Sequence, residues 1–217
     1  MEARDEAHGL RFWNGDPTVD ILEANDETGA MLLKHCLPGI SLRSEPEQRQ
    51  DEVITTLLKR LWKRSMGREE ITQFRKLSEM LAFWEEEALA QQNLVGDKGL
   101  LLDGLAVLRT LGRPTADDVL LATDLHAGNV LSDENDGWKI IDPKPFVGDR
   151  GYDLIQHTLN CTSRLQSDPI GLINRLADLA EVDSKRALLW LFGRVSTMTE
   201  WQGGTVDWQA LAKRIAP

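Results

Sequence analysis

The chain has 217 residues, 41% of them apolar and 28% charged, with 25 basic against 35 acidic side chains and a net charge of −10. That length and composition suit one large domain or a small pair with an ample core, and they exclude a disordered chain. The negative balance repels nucleic-acid phosphates, which excludes nucleic acid as a partner, and it attracts cations, metal ions and polycationic small molecules alike. Two cysteines, Cys36 and Cys161, are too few for a disulfide framework. The first ten residues alternate charges where an export signal needs an apolar stretch, and no apolar run reaches the length of a membrane span, so the expected setting is the cytoplasm.

Ala3, Ala7 and Leu10 fall near helical spacing before Asn14-Gly-Asp-Pro17 stops the run, which predicts a short helix over residues 2–13. Strand-like stretches at 18–24 and 30–36 flank the turn Asn25-Asp-Glu-Thr-Gly29 and predict a hairpin. Pro38 and Gly39 are expected to end the strand-bearing region. The chain then divides into a helix-plus-hairpin piece, residues 1–37, and a helical body, residues 38–217, with a hinge near 34–39. In the body, Ser44 and Glu47 form a capping-box pattern around Pro46, ahead of an apolar face made by Val53, Ile54, Leu57, Leu58, Leu61 and Trp62. A second helix is expected from Ile71 through Phe74, Leu77, Leu81 and Trp84 to Ala88, and a third from Leu101 to Leu111, closed by Gly112. Residues 151–161, 169–181, 184–199 and 206–215 also read as helices. Trp62, Trp84, Trp190, Trp201 and Trp208 are expected to be packing residues, and His157, near Leu154 and Cys161, a core histidine.

Between the third and fourth of these helices the pattern changes. Val130-Leu-Ser132 and Trp138-Lys-Ile-Ile141 are strand-like and are joined by a five-residue polar loop ending in Asp136-Gly137. If Ser132 faces Trp138, antiparallel register puts Val130 opposite Ile140 and Asn129 opposite Ile141, so Asn129 and Asp142 emerge side by side. An amide oxygen and a carboxylate at one mouth suit Mg²⁺, which takes few protein ligands and completes its shell with water and phosphate oxygens. Asp124, five residues before Asn129, is left for chemistry, and Gly128 permits the tight backbone between them. Taken singly, these three residues are ordinary cap and turn formers. At this spacing they form the Asp-x-x-x-x-Asn arrangement, followed by a metal-binding Asp after a short hairpin, of kinase-like catalytic loops.

With "ATDLHAGNVL", "IDPKPFVGDRGYD" and "LIQHTLNC", together with "EARDEAHGLRFW" and "GAMLLKHCLPG", nearly the whole chain resembles the aminoglycoside/hydroxyurea antibiotic resistance kinase family. The resemblance implies an α+β, protein-kinase-like fold of two lobes, the small one truncated and the large one mainly helical around a catalytic β-hairpin. It also implies transfer of the γ-phosphate of ATP to a hydroxyl of a cationic aminoglycoside of the streptomycin kind. Asp124 would then accept or orient the hydroxyl, and Asn129 and Asp142 would hold Mg²⁺. Lys34, His35 and Cys36 would form the hinge that hydrogen-bonds adenine, and His126 would approach the γ-phosphate. Asp149 and Asp153 are candidate acids for a cationic substrate, with Asp153 better suited to anchoring the catalytic loop.

The same resemblance marks a departure. Glu6 stands where the family's helix glutamate pairs with a strand lysine, yet only five residues precede it, and Gly203-Gly204 is followed by no lysine. The expectation is an amino-terminally shortened member whose ATP affinity and turnover fall far below those of an intact relative, with an exposed apolar face on the 18–36 hairpin. Two other functions stay open: a module that binds metal or drug without turnover, and a metal-dependent phosphoesterase built on Asp124, His126 and Asp142.

Overall fold

The computed structural model describes residues 2–94, 96–134, 137–198 and 206–217. Helix α1 (Glu2–Trp13) buries Ala7 and Leu10, as their spacing predicts, and Trp13 with them. Strands β1 (Ile21–Asn25) and β2 (Ala30–Leu33) form the expected antiparallel hairpin. Its turn is closed by Asn25, whose side-chain oxygen accepts from the Glu27 and Thr28 amides, and by Gly29 at a φ of +73° that favours glycine.

Pro38 and Gly39 do not end the strands. Residues Pro38–Ser41 form β3, which lies along β5 (Val130–Asp133), itself paired with β6 (Gly137–Ile140) in the order β3-β5-β6. The proline is tolerated because β3 is an edge strand, where a missing N–H leaves no ladder bond broken. On the other side of β6, the Val19 amide donates to the Ile140 carbonyl at 2.9 Å and the Ile140 amide to Pro17 at 3.1 Å. The β5–β6 hairpin is therefore flanked on both sides by backbone from the first 41 residues.

The body is helical: α2 (Glu47–Ser65), α3 (Leu77–Ala90), α4 (Lys98–Leu111), α5 (Ile155–Asn160), α6 (Thr162–Ser167), α7 (Pro169–Ala180), α8 (Ser184–Ser196) and α9 (Trp208–Ile215). The expected capping box at α2 is absent. Pro46 itself is the N-cap, with no side-chain cap bond, and the Ser44 hydroxyl donates to the Ser41 carbonyl. The second expected helix also starts later, at Leu77. Ile71 sits in a 3₁₀ turn and Phe74 is extended, because the Arg75 carbonyl accepts from Val147 at 2.8 Å and residues 74–76 run beside strand β7 (Phe146–Gly148). β7 pairs with β4 (Val119–Leu121), a wholly buried three-residue strand without alternation for a period-2 search to find. Helix α6 is likewise outside the expected elements.

The main core joins α2, α4, α7, α8 and α9 through residues such as Leu58, Leu61, Ile173, Trp190 and Phe192. Helices α4 and α8 approach closely through facing glycines: a Cβ on Gly104 would stand 2.4 Å from that of Ser196, and one on Gly193 2.7 Å from Leu108. Trp62, Trp190 and Trp208 are buried as expected, and so is His157. Trp201, residue 199 of the helix expected over 184–199, Asp136 of the expected turn and Gly203-Gly204 lie outside the described residues. Among the described residues no helix is long and apolar enough to cross a membrane.

Candidate active site

The hairpin has the register its sequence requires: Ser132 pairs with Trp138 and Val130 with Ile140, and the Ile141 amide donates to the Asn129 carbonyl at 2.9 Å. Asn129 and Asp142 thus leave the same open end. Asp124 joins them from the loop after β4, since the Asn129 side-chain amide donates to the Asp124 carbonyl at 3.1 Å.

That loop is held from beneath by Asp153, a fully buried carboxylate. It accepts from the Trp62 indole at 2.8 Å and from the Ala122 and Thr123 amides at 3.2 and 2.8 Å. Burial nevertheless pushes its carboxyl up to about 6, against the three N–H donors that favour the ionised form. Thr123 and Asp142 both take left-handed backbone angles, φ +48° and +53°. Such strain persists where surrounding bonds over-determine it. Here they do: the Thr123 hydroxyl donates to the Lys144 carbonyl at 2.7 Å and the Lys144 amide to the Ala122 carbonyl at 2.8 Å.

The donor set fits Mg²⁺. Donation by the Asn129 amide nitrogen leaves its oxygen available, and the Asp142 carboxylate is half-exposed, bonded at one oxygen to the Lys144 ammonium at 2.6 Å. Glu6, buried on α1, lies against the same pair. Its carboxyl is raised, first by burial and then by the Asp142 charge, with Lys144 opposing. The sequence left Glu6 without a partner, and the fold places Lys144 and Asp142 beside it.

The other expected site residues are distributed differently. The His126 ring accepts from the Gly128 amide at 3.0 Å through Nδ1, and burial holds its pKa below the ordinary value, keeping it neutral near pH 7. Lys34 is exposed and pairs with Asp20 at 3.3 Å, and His35 is exposed. Cys36 packs with Leu10 and Val19, near Leu131 and Ile141 of the β5–β6 hairpin, and burial raises its thiol. Asp149 is not open to a cationic substrate: Arg186, the Trp190 indole and the Gly151 amide all bond to it.

Beside Asp124 opens a cavity of about 720 Å³ whose walls include Phe83, Trp84, Phe146 and Tyr152. Trp84, expected as packing, is a wall residue with the Arg194 guanidinium 4.3 Å from its ring centre. Three carboxylates, Asp5, Glu79 and Asp124, face three cations, Arg75, Lys144 and Arg194. Lys34, His35 and Cys36 do not line this cavity. Sequence reasoning missed Lys144 although it lies inside a quoted motif. Arg194, seventy positions from Asp124, carries no local signal.

The sequence matches a known family. The model of the aminoglycoside/hydroxyurea antibiotic resistance kinases matches residues 1–203. The chain belongs to that family. It is 32% identical over 204 residues to streptomycin 6-kinase of Streptomyces glaucescens, covering 89% of this chain and 64% of the relative. It is 30% identical to hydroxyurea phosphotransferase of Kitasatospora aureofaciens, covering 93% of this chain and 59% of the relative. The chain thus spans about three fifths of the curated relatives it matches. Among solved structures, an ethanolamine kinase of Plasmodium vivax superposes with a TM-score of 0.68 at 14% identity, over 99% of this chain and 71% of that one. Aminoglycoside phosphotransferase APH(4)-Ia superposes with a TM-score of 0.54 at 14% identity, over 97% and 80%. The fold of this kinase-family chain is accordingly the α+β, protein-kinase-like one.

Proposed function

We propose that the chain transfers the γ-phosphate of ATP to a hydroxyl of a small-molecule antibiotic of the streptomycin kind. The observation that carries the proposal is that Asn129 and Asp142 leave the same end of one hairpin, with Asn129 bonded to the loop of Asp124, which lines an aromatic-walled cavity. Asp124 orients the substrate hydroxyl and takes its proton late in the transfer. A carboxylate suffices in this place, because phosphoryl transfer through a loose transition state asks more of position than of base strength. Asn129 and Asp142 hold Mg²⁺, which when bound offsets the charge of the phosphate oxygens. Neutral His126 stands beside the loop without adding charge. Lys34, His35 and Cys36 offer backbone groups to adenine.

Purified chain supplied with Mg²⁺ and ATP should release ADP in a streptomycin-dependent way, more slowly than an intact relative, and the Asp124→Asn variant should not. ADP release that is independent of any acceptor would overturn the proposal.

The even charge of the cavity favours a second substrate. With Asp5 paired to Arg75 at 2.6 Å and Lys144 to Asp142, the walls do not single out a polycation. An uncharged hydroxylated acceptor such as hydroxyurea, assayed in parallel, separates the two by which compound drives turnover.

A further inference from the structure

We propose that Lys144 is the phosphate-binding cation of this site, held by Glu6 and Asp142 until a metal–nucleotide complex takes its place at Asp142; this rests on the phosphotransferase function above. The backbone makes the position rigid. Lys144 lies between Pro143 and Pro145, each with φ set by its ring, and both its amide and its carbonyl are bonded to the catalytic loop, to Ala122 at 2.8 Å and Thr123 at 2.7 Å. The side chain is on a flexible four-carbon stem, so a fixed root carries a movable charge.

That charge sits beside two carboxylates, on a cavity wall shared with a third. The ammonium bonds to Asp142 at 2.6 Å, Glu6 is close enough for the two charges to act on each other, and Lys144 lines the same cavity as Asp124. A divalent cation bound by Asp142 repels an ammonium sharing that carboxylate, while the phosphate oxygens arriving with the metal attract it. Glu6, buried on α1, remains a polar neighbour of the lysine after Asp142 is taken by the metal.

The other cations near the site are committed elsewhere. Arg75 is paired with Asp5 and stacks over Phe146 at 4.6 Å, and Arg194 stacks over Trp84. Arg43 is the competitor, packed against the His126 and Gly128 turn.

The test measures binding, with the 217-residue chain and its Lys144→Met, Lys144→Gln, Lys144→Arg and Arg43→Ala variants. Calorimetric titration with Mg²⁺ alone and with Mg²⁺·ATPγS gives two dissociation constants for each protein. Expected is opposite behaviour in Lys144→Met: Mg²⁺ alone binds as well or more tightly, because a competing cation is gone, while Mg²⁺·ATPγS binds about tenfold more weakly. Lys144→Arg should stay within about threefold of the parent for both. Lys144→Gln, a polar and uncharged replacement, serves if the methionine variant fails to fold by circular dichroism. Unchanged or tighter nucleotide binding in the neutral variants overturns the assignment, as does the same loss in Arg43→Ala with none at Lys144. A parent chain that binds neither Mg²⁺ nor the nucleotide sinks the phosphotransferase function together with this inference, whereas parent binding with indifferent Lys144 variants sinks this inference alone.

Discussion

Asp153 and Asp124 are both acids of the catalytic segment, yet their surroundings separate their roles. Asp124 borders a cavity, whereas Asp153 is spent on three N–H donors inside the core. Asp124→Asn should lower phosphoryl transfer by about 100-fold or more, the usual scale for losing a positioned base, while denaturant midpoints stay at the parent value. Asp153→Asn sets an amide N–H₂ against those donors and should cost about 2–3 kcal/mol in unfolding free energy. Its pH signature has a definite sign. The folded pKa of about 6 exceeds the unfolded value of 3.8, so the folded chain binds more protons between them. The parent gains stability from this group as pH falls from 7 to 5, and Asp153→Asn does not. The gap between parent and variant should therefore widen toward pH 5, and a gap that narrows would contradict the assignment.

At the scale of elements, Asp51 ties α2 to three later helices. It is fully buried and bonds to His157 at 3.1 Å, to Arg164 at 3.0 and 2.7 Å and to Arg175 at 2.9 Å. Burial raises its carboxyl, but the bonds from His157, Arg164 and Arg175 outweigh that and hold it well below the ordinary range. Asp51→Ala leaves Arg175 and the buried His157 without their carboxylate and Arg164 with Glu47 alone, at 3.6 Å, and should cost about 3 kcal/mol, read from urea unfolding. Because the folded pKa is depressed, the stabilisation is present above pH 3.8 and lost as pH falls below it, so Asp51→Asn should show a flatter stability profile from pH 5 to 2. Asp51, His157 and Cys161 also bring three ligand-type atoms within 4.8 Å of one another. Two arginines on the same carboxylate disfavour a cation there, and Zn²⁺ or a chelator should leave the thermal midpoint unchanged.

For the molecule as a whole, the β1–β2 hairpin turns Leu22 and Leu32 outward. Leu22 is 61% and Leu32 56% exposed, while the hairpin's buried contacts run through Ile21, Met31 and Leu33 to α1. Leu22→Ser and Leu32→Ser remove almost no burial, so each should change unfolding free energy by less than about 0.5 kcal/mol. A loss several times larger would mean that these faces are covered in solution. The charge of −10 belongs to this scale too, since around the cavity itself carboxylates and cations balance. Net charge governs how a cationic molecule approaches the protein, whereas wall residues decide what stays bound.

The helices with long apolar faces, both hairpins and the pairing of Asn129 with Ile141 could be read from the sequence, because period and register are local properties of consecutive residues. The Asp-x-x-x-x-Asn spacing was legible for the same reason. The edge strand at Pro38, the late start of α3 and the β4–β7 pair were decided only by the tertiary structure, since each depends on hydrogen bonds to a partner many residues away. So were the neighbours of Glu6 and the placing of Arg194 and Trp84 on a cavity wall. A side chain's neighbours across the fold are set by how whole elements pack, and no pattern in the adjoining residues encodes them.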